Sequence, residues 1–224
     1  MLKETQSIEI DKLVEIYKEN ANKDTALRMK SYMKNHFTFL GISKPLRAEL
    51  SKEFLKEIMK IKTIDWDFVF KMFEMPEREF QYLAMEYLRK LEKHLQKSDL
   101  EMLEKLILTK SWWDSVDALA PLVGILCQKY PELKEEVLEG WIMNSNIWLK
   151  RVTIIFQLKY KNKTDTEFLT KAILSNNLSK EFFLNKAIGW SLRQYSKFNA
   201  DWVKVFIATH SLSPLSVREG SKYF

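Results

Sequence analysis

At 224 residues, 46% of them apolar and 29% charged, the chain has enough hydrophobic material for one large core or two small ones. Glycine and proline occur only five times each, too few for the turns of an all-β fold, and the single Cys127 excludes an internal disulfide framework and fits a reducing compartment. The net charge of +6 is unevenly spread: residues 1–140 carry 23 Lys/Arg against 25 Asp/Glu, while residues 141–224 carry 13 against 5. No apolar run approaches the ~18 residues that a membrane span needs. The opening Met-Leu-Lys-Glu-Thr-Gln-Ser lacks an apolar signal core, which predicts a cytoplasmic protein.

Apolar residues at three- and four-residue steps predict helices over 7–20, 23–34, 45–60, 66–74, 79–96, 99–108 and 112–129. The pattern continues over 132–143, 146–159, 166–175, 181–196, 200–209 and 213–222. Ser43 before Pro45, Asp65, Ser98 with Glu101, and Ser179 each precede such a run as helix-start signals. Pro121 falls inside the 112–129 window and predicts a kink or break there. About a dozen helices with short turns and no strand candidates predict an all-α fold. The expected form is a curved solenoid of antiparallel helix pairs with a concave face, forming one domain over 1–224. Trp113, Trp148 and Trp190, about 35 to 42 residues apart, suggest a two- or three-helix repeat. A compact irregular helical domain is the alternative.

Several familiar chemistries are missing. With glycine only at positions 41, 124, 140, 189 and 220, no phosphate-binding glycine loop is possible. Three scattered histidines and one cysteine give no metal-ligand spacing, so no metal or cofactor is expected. Cys127 lies in the apolar run Leu122–Cys127 and is a poor candidate for a nucleophile.

Carboxylate, arginine and aromatic chemistry remains, and it concentrates in three segments. In Ser111-Trp112-Trp113-Asp114-Ser115-Val116-Asp117, Trp113 and Asp117 are four apart, so on a helix an indole and a carboxylate share one face. That pairing suits a flat cationic or electron-poor guest. Adjacent helical residues point about 100° apart, so Trp112 is assigned to packing and Trp113 to the surface. The second segment runs from Asn146 through Trp148 and Arg151 to Lys159 and Tyr160, and the third from Lys186 through Trp190 and Arg193 to Tyr195. Cations interleaved with aromatics in a basic C-terminal third point towards a nucleic acid. Read singly, each segment is also compatible with ordinary core tryptophans and surface arginines.

Taken together, these residues resemble the bacterial DNA alkylation repair glycosylases of the AlkD family, proteins of HEAT-like helical repeats. The likeness runs from Tyr32-Met33-Lys34-Asn35-His36-Phe37 and Pro76-Glu77-Arg78-Glu79 through Thr109–Asp117, Trp148–Arg151 and Lys186–Trp190 to Pro214-Leu215-Ser216 with Arg218-Glu219. It implies a DNA glycosylase that hydrolyses the N-glycosidic bond of cationic N3- or N7-alkylated purines in duplex DNA, without flipping the base. It further implies Asp117 as the catalytic carboxylate, Trp113 and Trp190 as aromatic walls against the lesion, and Arg151 on the DNA backbone beside it. Tyr32, Lys159 and Arg193 would be further DNA contacts. Some family members lack the acidic residue; this chain keeps it. The expected partner is alkylated duplex DNA, with the protein acting as a monomer. Two other readings stand beside it: a non-catalytic DNA-structure binder on the same scaffold, and a protein-binding helical scaffold, which predicts no salt-dependent DNA affinity.

Overall fold

The structure is a computed structural model that describes residues 2–224, with side chains described from Ile10 onward. Among the described residues there are fourteen α-helices and no strand, only an isolated parallel bridge between Thr38 and Glu77. Among these described residues no helix is long and apolar enough to cross a membrane. The chain divides into two compact units, residues 1–95 and 96–224.

The first unit contains α1 (Leu2–Glu19), α2 (Lys23–Tyr32), α3 (Lys44–Leu50), α4 (Lys52–Ile58), α5 (Trp66–Glu74) and α6 (Arg78–Lys90). Ser43 and Asp65 cap α3 and α5 as the sequence predicts, accepting from the Leu46 and Phe68 amides. The window 45–60 is not one helix. Buried Ser51 donates its hydroxyl back to the Arg47 carbonyl at 2.8 Å, a local bond that competes with helix propagation and splits α3 from α4. Buried Glu79 accepts from the Leu40, Gly41 and Ile42 amides at 2.8–3.1 Å, which pins the loop between α2 and α3 to α6.

The second unit contains α7 (Asp99–Leu108), α8 (Trp113–Lys129), α9 (Glu139–Ile142), α10 (Ile147–Ile155), α11 (Thr166–Leu174), α12 (Phe182–Ser196), α13 (Ala200–Thr209) and α14 (Pro214–Gly220). Two layers are apparent. In one, α8, α10, α12 and α14 pack in succession; in the other, α7 lies against α8, α9 and α11 against α10, and α13 against α12. Consecutive helices joined by short turns and packed on each other form antiparallel hairpins.

Three local expectations are corrected. Helix α8 does not break at Pro121. Leu119, Ala120, Leu122 and Val123 around it are all buried, and each large side chain contributes about 1.5–3 kcal/mol against a proline cost of ~3. The proline still leaves a mark: its absent N–H is the one that would bond the Asp117 carbonyl one turn back. Ser98 makes no side-chain cap on α7; Asp99 instead accepts from the Gln96 amide at 2.7 Å. Ser179 lies two residues ahead of Glu181, the N-cap of α12, and binds the Glu181 amide rather than the helix proper.

The contact between α8 and α10 is set by backbone. A Cβ built on Gly124 falls 2.4 Å from the Phe156 carbonyl oxygen, and the Gly124 carbonyl accepts the Tyr160 hydroxyl at 2.5 Å. Gly124→Ala gains helix propensity of up to about 1 kcal/mol but forces two backbones apart. We expect a net loss of about 1–3 kcal/mol in urea unfolding, the range for an overpacked core; a variant as stable as the parent would contradict this close approach.

Candidate functional site

Four inner helices present one residue each at the same helical position. Asp117, Arg151, Lys186 and Arg218 are the fifth residues of α8, α10, α12 and α14. Because these helices pack in succession, equal positions lie on neighbouring elements, giving a row with one anion followed by three cations.

The first two members of the row are in contact. Arg151 Nε donates to Asp117 Oδ1 at 2.7 Å and Nη2 to Oδ2 at 2.8 Å, a fork that fixes both planes. Arg151 Nη1 donates to the Phe183 carbonyl in the first turn of α12, so one guanidinium ties α8, α10 and α12 together. The arginine side chain is 5% exposed and the carboxylate 17%. Burial is the largest influence on Asp117 and raises its pKa above the ordinary value; the Arg151 hydrogen bonds and charge oppose it, and nearby Asp114 adds to it.

The segment before α8 supplies the floor. Trp112 is the N-cap residue of α8 with extended backbone, so its ring turns away from the helix. It meets Trp148 at 5.7 Å and Phe183 edge-on at 4.9 Å, and Trp148 meets Phe183 at 5.1 Å. Trp112 is thus a packing residue, as expected from its neighbour's position. Trp113 opens α8 half-buried, on the face of Asp117.

The other expected residues are placed as follows. Trp190 is half-buried on α12, with Lys186 and Arg193 one turn away on either side along the same face. Arg193 Nη1 donates to Glu219 Oε2 at 2.9 Å, so it is an ion-paired cation. Lys159 is exposed in the turn after α10. Tyr32 is exposed at the end of α2, in the first unit, followed by Lys34 and Asn35 in left-handed conformation. Arg151 is buried, and three of its nitrogens donate inside the protein, two of them to Asp117. Cys127 is buried, its thiol pushed up to about 12 by desolvation. Among the described residues no three His, Cys, Asp or Glu side chains group to hold a metal ion.

Sequence reading did not single out Phe183, Glu219 or Lys186 as site residues. Phe183 carried a signal. It follows Trp148 by 35 residues, and both are the second residues of their helices, whereas Trp190 lies further along α12. Glu219 stood in the sequence only as part of the Arg218-Glu219 likeness, with no role attached.

Residues 14–224 match the family described as DNA alkylation repair enzyme. A solved structure described as a predicted DNA alkylation repair enzyme from Enterococcus faecalis is 36% identical with a TM-score of 0.85, over 91% of this chain and 96% of that one. No curated protein matches. The agreement spans the helix pairs and the segments that carry Asp117, Arg151 and Trp190 alike: this chain belongs to the DNA alkylation repair enzyme family.

Proposed function

We propose that this protein is a DNA glycosylase of the AlkD kind, built on HEAT-like repeats, that removes cationic N3- and N7-alkylated purines from duplex DNA. The observation that carries this reading is Asp117: a carboxylate with its pKa raised by burial, kept ionised by a fork with Arg151, beside the half-buried face of Trp113. The recurrence of one charged position on successive inner helices supports a repeat scaffold.

Alkylation places a formal positive charge on the purine. When the C1′–N bond breaks, its electron pair returns to the base, which leaves neutral without a general acid, so one carboxylate suffices where glycoside hydrolases use two. The sugar becomes oxocarbenium-like, and Asp117 stabilises that charge. Water forms the new C1′–O bond and gives its proton to Asp117. A carboxylate offers about four lone-pair sites and the Arg151 fork occupies two, so the others remain for water and sugar. Arg151 has five N–H groups, of which three are committed; two remain for a phosphate. Trp113 and Trp190 present indole faces to the cationic nucleotide. Such an arrangement acts only on lesions already primed to leave, and it needs neither a deep pocket nor base extrusion.

The fork itself favours one competing reading, in which Asp117 is only a structural tie in a DNA-binding protein. The two readings part at one substitution. Asp117→Asn is expected to lower release of 7-methylguanine from a duplex by at least about 100-fold, with DNA affinity within a few-fold of the parent. Release at the parental rate would leave the structural tie as the better account.

The acid limb of excision gives a second test. Catalysis requires ionised Asp117, so the single-turnover rate falls as pH drops through its pKa, which burial places above the ordinary aspartate value. Arg151 pulls that pKa down and Asp114 pushes it up. The limb is therefore expected at higher pH in Arg151→Gln and at lower pH in Asp114→Asn. A limb unmoved by either change would assign the titration to another group.

A further inference from the structure

Outside the Asp117–Arg151 pair, the densest cluster of charge in the second unit surrounds Glu219 on α14. Its Oε1 lies 3.2 Å from Lys186 Nζ and 4.0 Å from Arg218 Nη2; its Oε2 lies 2.9 Å from Arg193 Nη1 and 2.9 Å from Lys222 Nζ. Four cations share one carboxylate, so a surplus of three positive charges stays concentrated there. The carboxylate is 9% exposed, while Lys186 and Arg193 remain 38% and 26% exposed, so the anion sits beneath and the cations face outward. Hydrogen bonds from Lys222 and Lys186 hold the Glu219 pKa down at about 2, and it stays ionised at any ordinary pH.

The approach that allows this is built into α12. A Cβ on Gly189 would fall 2.5 Å from the Glu219 Cβ and 3.0 Å from the Ser216 carbonyl, so only glycine lets α14 come so near. Ser216 Oγ, donating to the Asn185 carbonyl at 2.9 Å, fixes the register of the two helices. Lys186 and Arg193 then flank Trp190 on one face of α12, each tethered to the same carboxylate. Free lysine and arginine side chains lose rotamer freedom when they grip a phosphate; here that ordering is done before the ligand arrives.

We infer that Glu219 is a positioning residue: it holds Lys186 and Arg193 on either side of Trp190 as a preset seat for one backbone phosphate of the DNA. The inference rests on the proposed function for the identity of the substrate but not for the seat itself. As a simple charge, Glu219 repels DNA, and removing it strengthens binding to substrate and transition state alike without changing the rate at saturation. As a positioning residue, it acts at the step where the nucleotide must be held in line, and its loss appears in that rate.

The test uses the full chain, a 7-methylguanine duplex and an unmodified duplex. Glu219→Gln is expected to slow single-turnover release at saturating protein roughly tenfold, while affinity for the unmodified duplex is equal or tighter. In a variant already carrying Lys186→Gln and Arg193→Gln, the same change should add little, because it acts through those two residues. An unchanged rate at saturation, or a loss that simply adds, overturns the positioning role. Lys186→Gln and Arg193→Gln alter outward-facing side chains and serve if the Glu219 variant is unstable. Each is expected to lower the slope of log affinity against log salt on unmodified duplex by about one, and unchanged slopes overturn the seat. That arm requires no base release, so a parent protein that excises nothing refutes the proposed function while the slopes still decide the seat.

Discussion

The second unit is organised by the fork between Asp117 and Arg151. A buried ion pair is not a cheap way to hold helices together: desolvation offsets most of the Coulomb gain. Its consequence is specificity of arrangement. Once both groups are buried, leaving either unpartnered costs about 3–5 kcal/mol, so packings of α8 against α10 that separate them are strongly disfavoured. The third donor extends the constraint, because Arg151 also reaches the Phe183 carbonyl of α12. Three helices therefore share one register, fixed at the buried Asp117–Arg151 contact.

Packing makes that register reachable. Helices usually lie 8–10 Å apart, and an aspartate side chain is short. Gly124 removes the obstacle on α8, where a Cβ would meet the Phe156 carbonyl; between α12 and α14, outside that register, Gly189 does the same for Glu219. Trp112, Trp148 and Phe183 close the end of the same three helices with mutually inclined rings, a geometry favoured over face-to-face stacking. Small residues set how near the inner helices come, and large ones stop them sliding. Asp117 and Arg151, one turn in, inherit the result.

Much of this was legible in the sequence, and the limits have physical causes. Helix positions followed from apolar periodicity, since most of the helices bury an apolar stripe, although α2 buries no residue. Caps at Ser43 and Asp65 were legible because one side chain and one amide three residues on decide them. A break at Pro121 did not follow because the local rule describes a helix in isolation, and the buried residues around it carry α8 through. That Trp113 and Asp117 stand four apart on one helix was local and readable. The bond from Arg151 to Asp117, 34 residues earlier, was not legible, because nothing in its own segment shows where its guanidinium points. Glu219 illustrates the same limit more strongly: its importance lies in four cations from α12, α14 and the turn after α14, a property of the packing of α12 on α14.

The fork also resolves an electrostatic difficulty in the proposed chemistry. A bare carboxylate at a DNA surface repels the phosphates beside its target, whereas a fully neutralised one does nothing for a developing oxocarbenium ion. Burial raises the basicity of Asp117, which favours taking a proton from water, and Arg151 keeps it ionised so that the acceptor exists. The same guanidinium screens the carboxylate on the side where α10, α12 and α14 carry Arg151, Lys186 and Arg218. In the proposed reaction, phosphates would be drawn towards these cations, leaving the anion to act where the sugar rather than the backbone must be met.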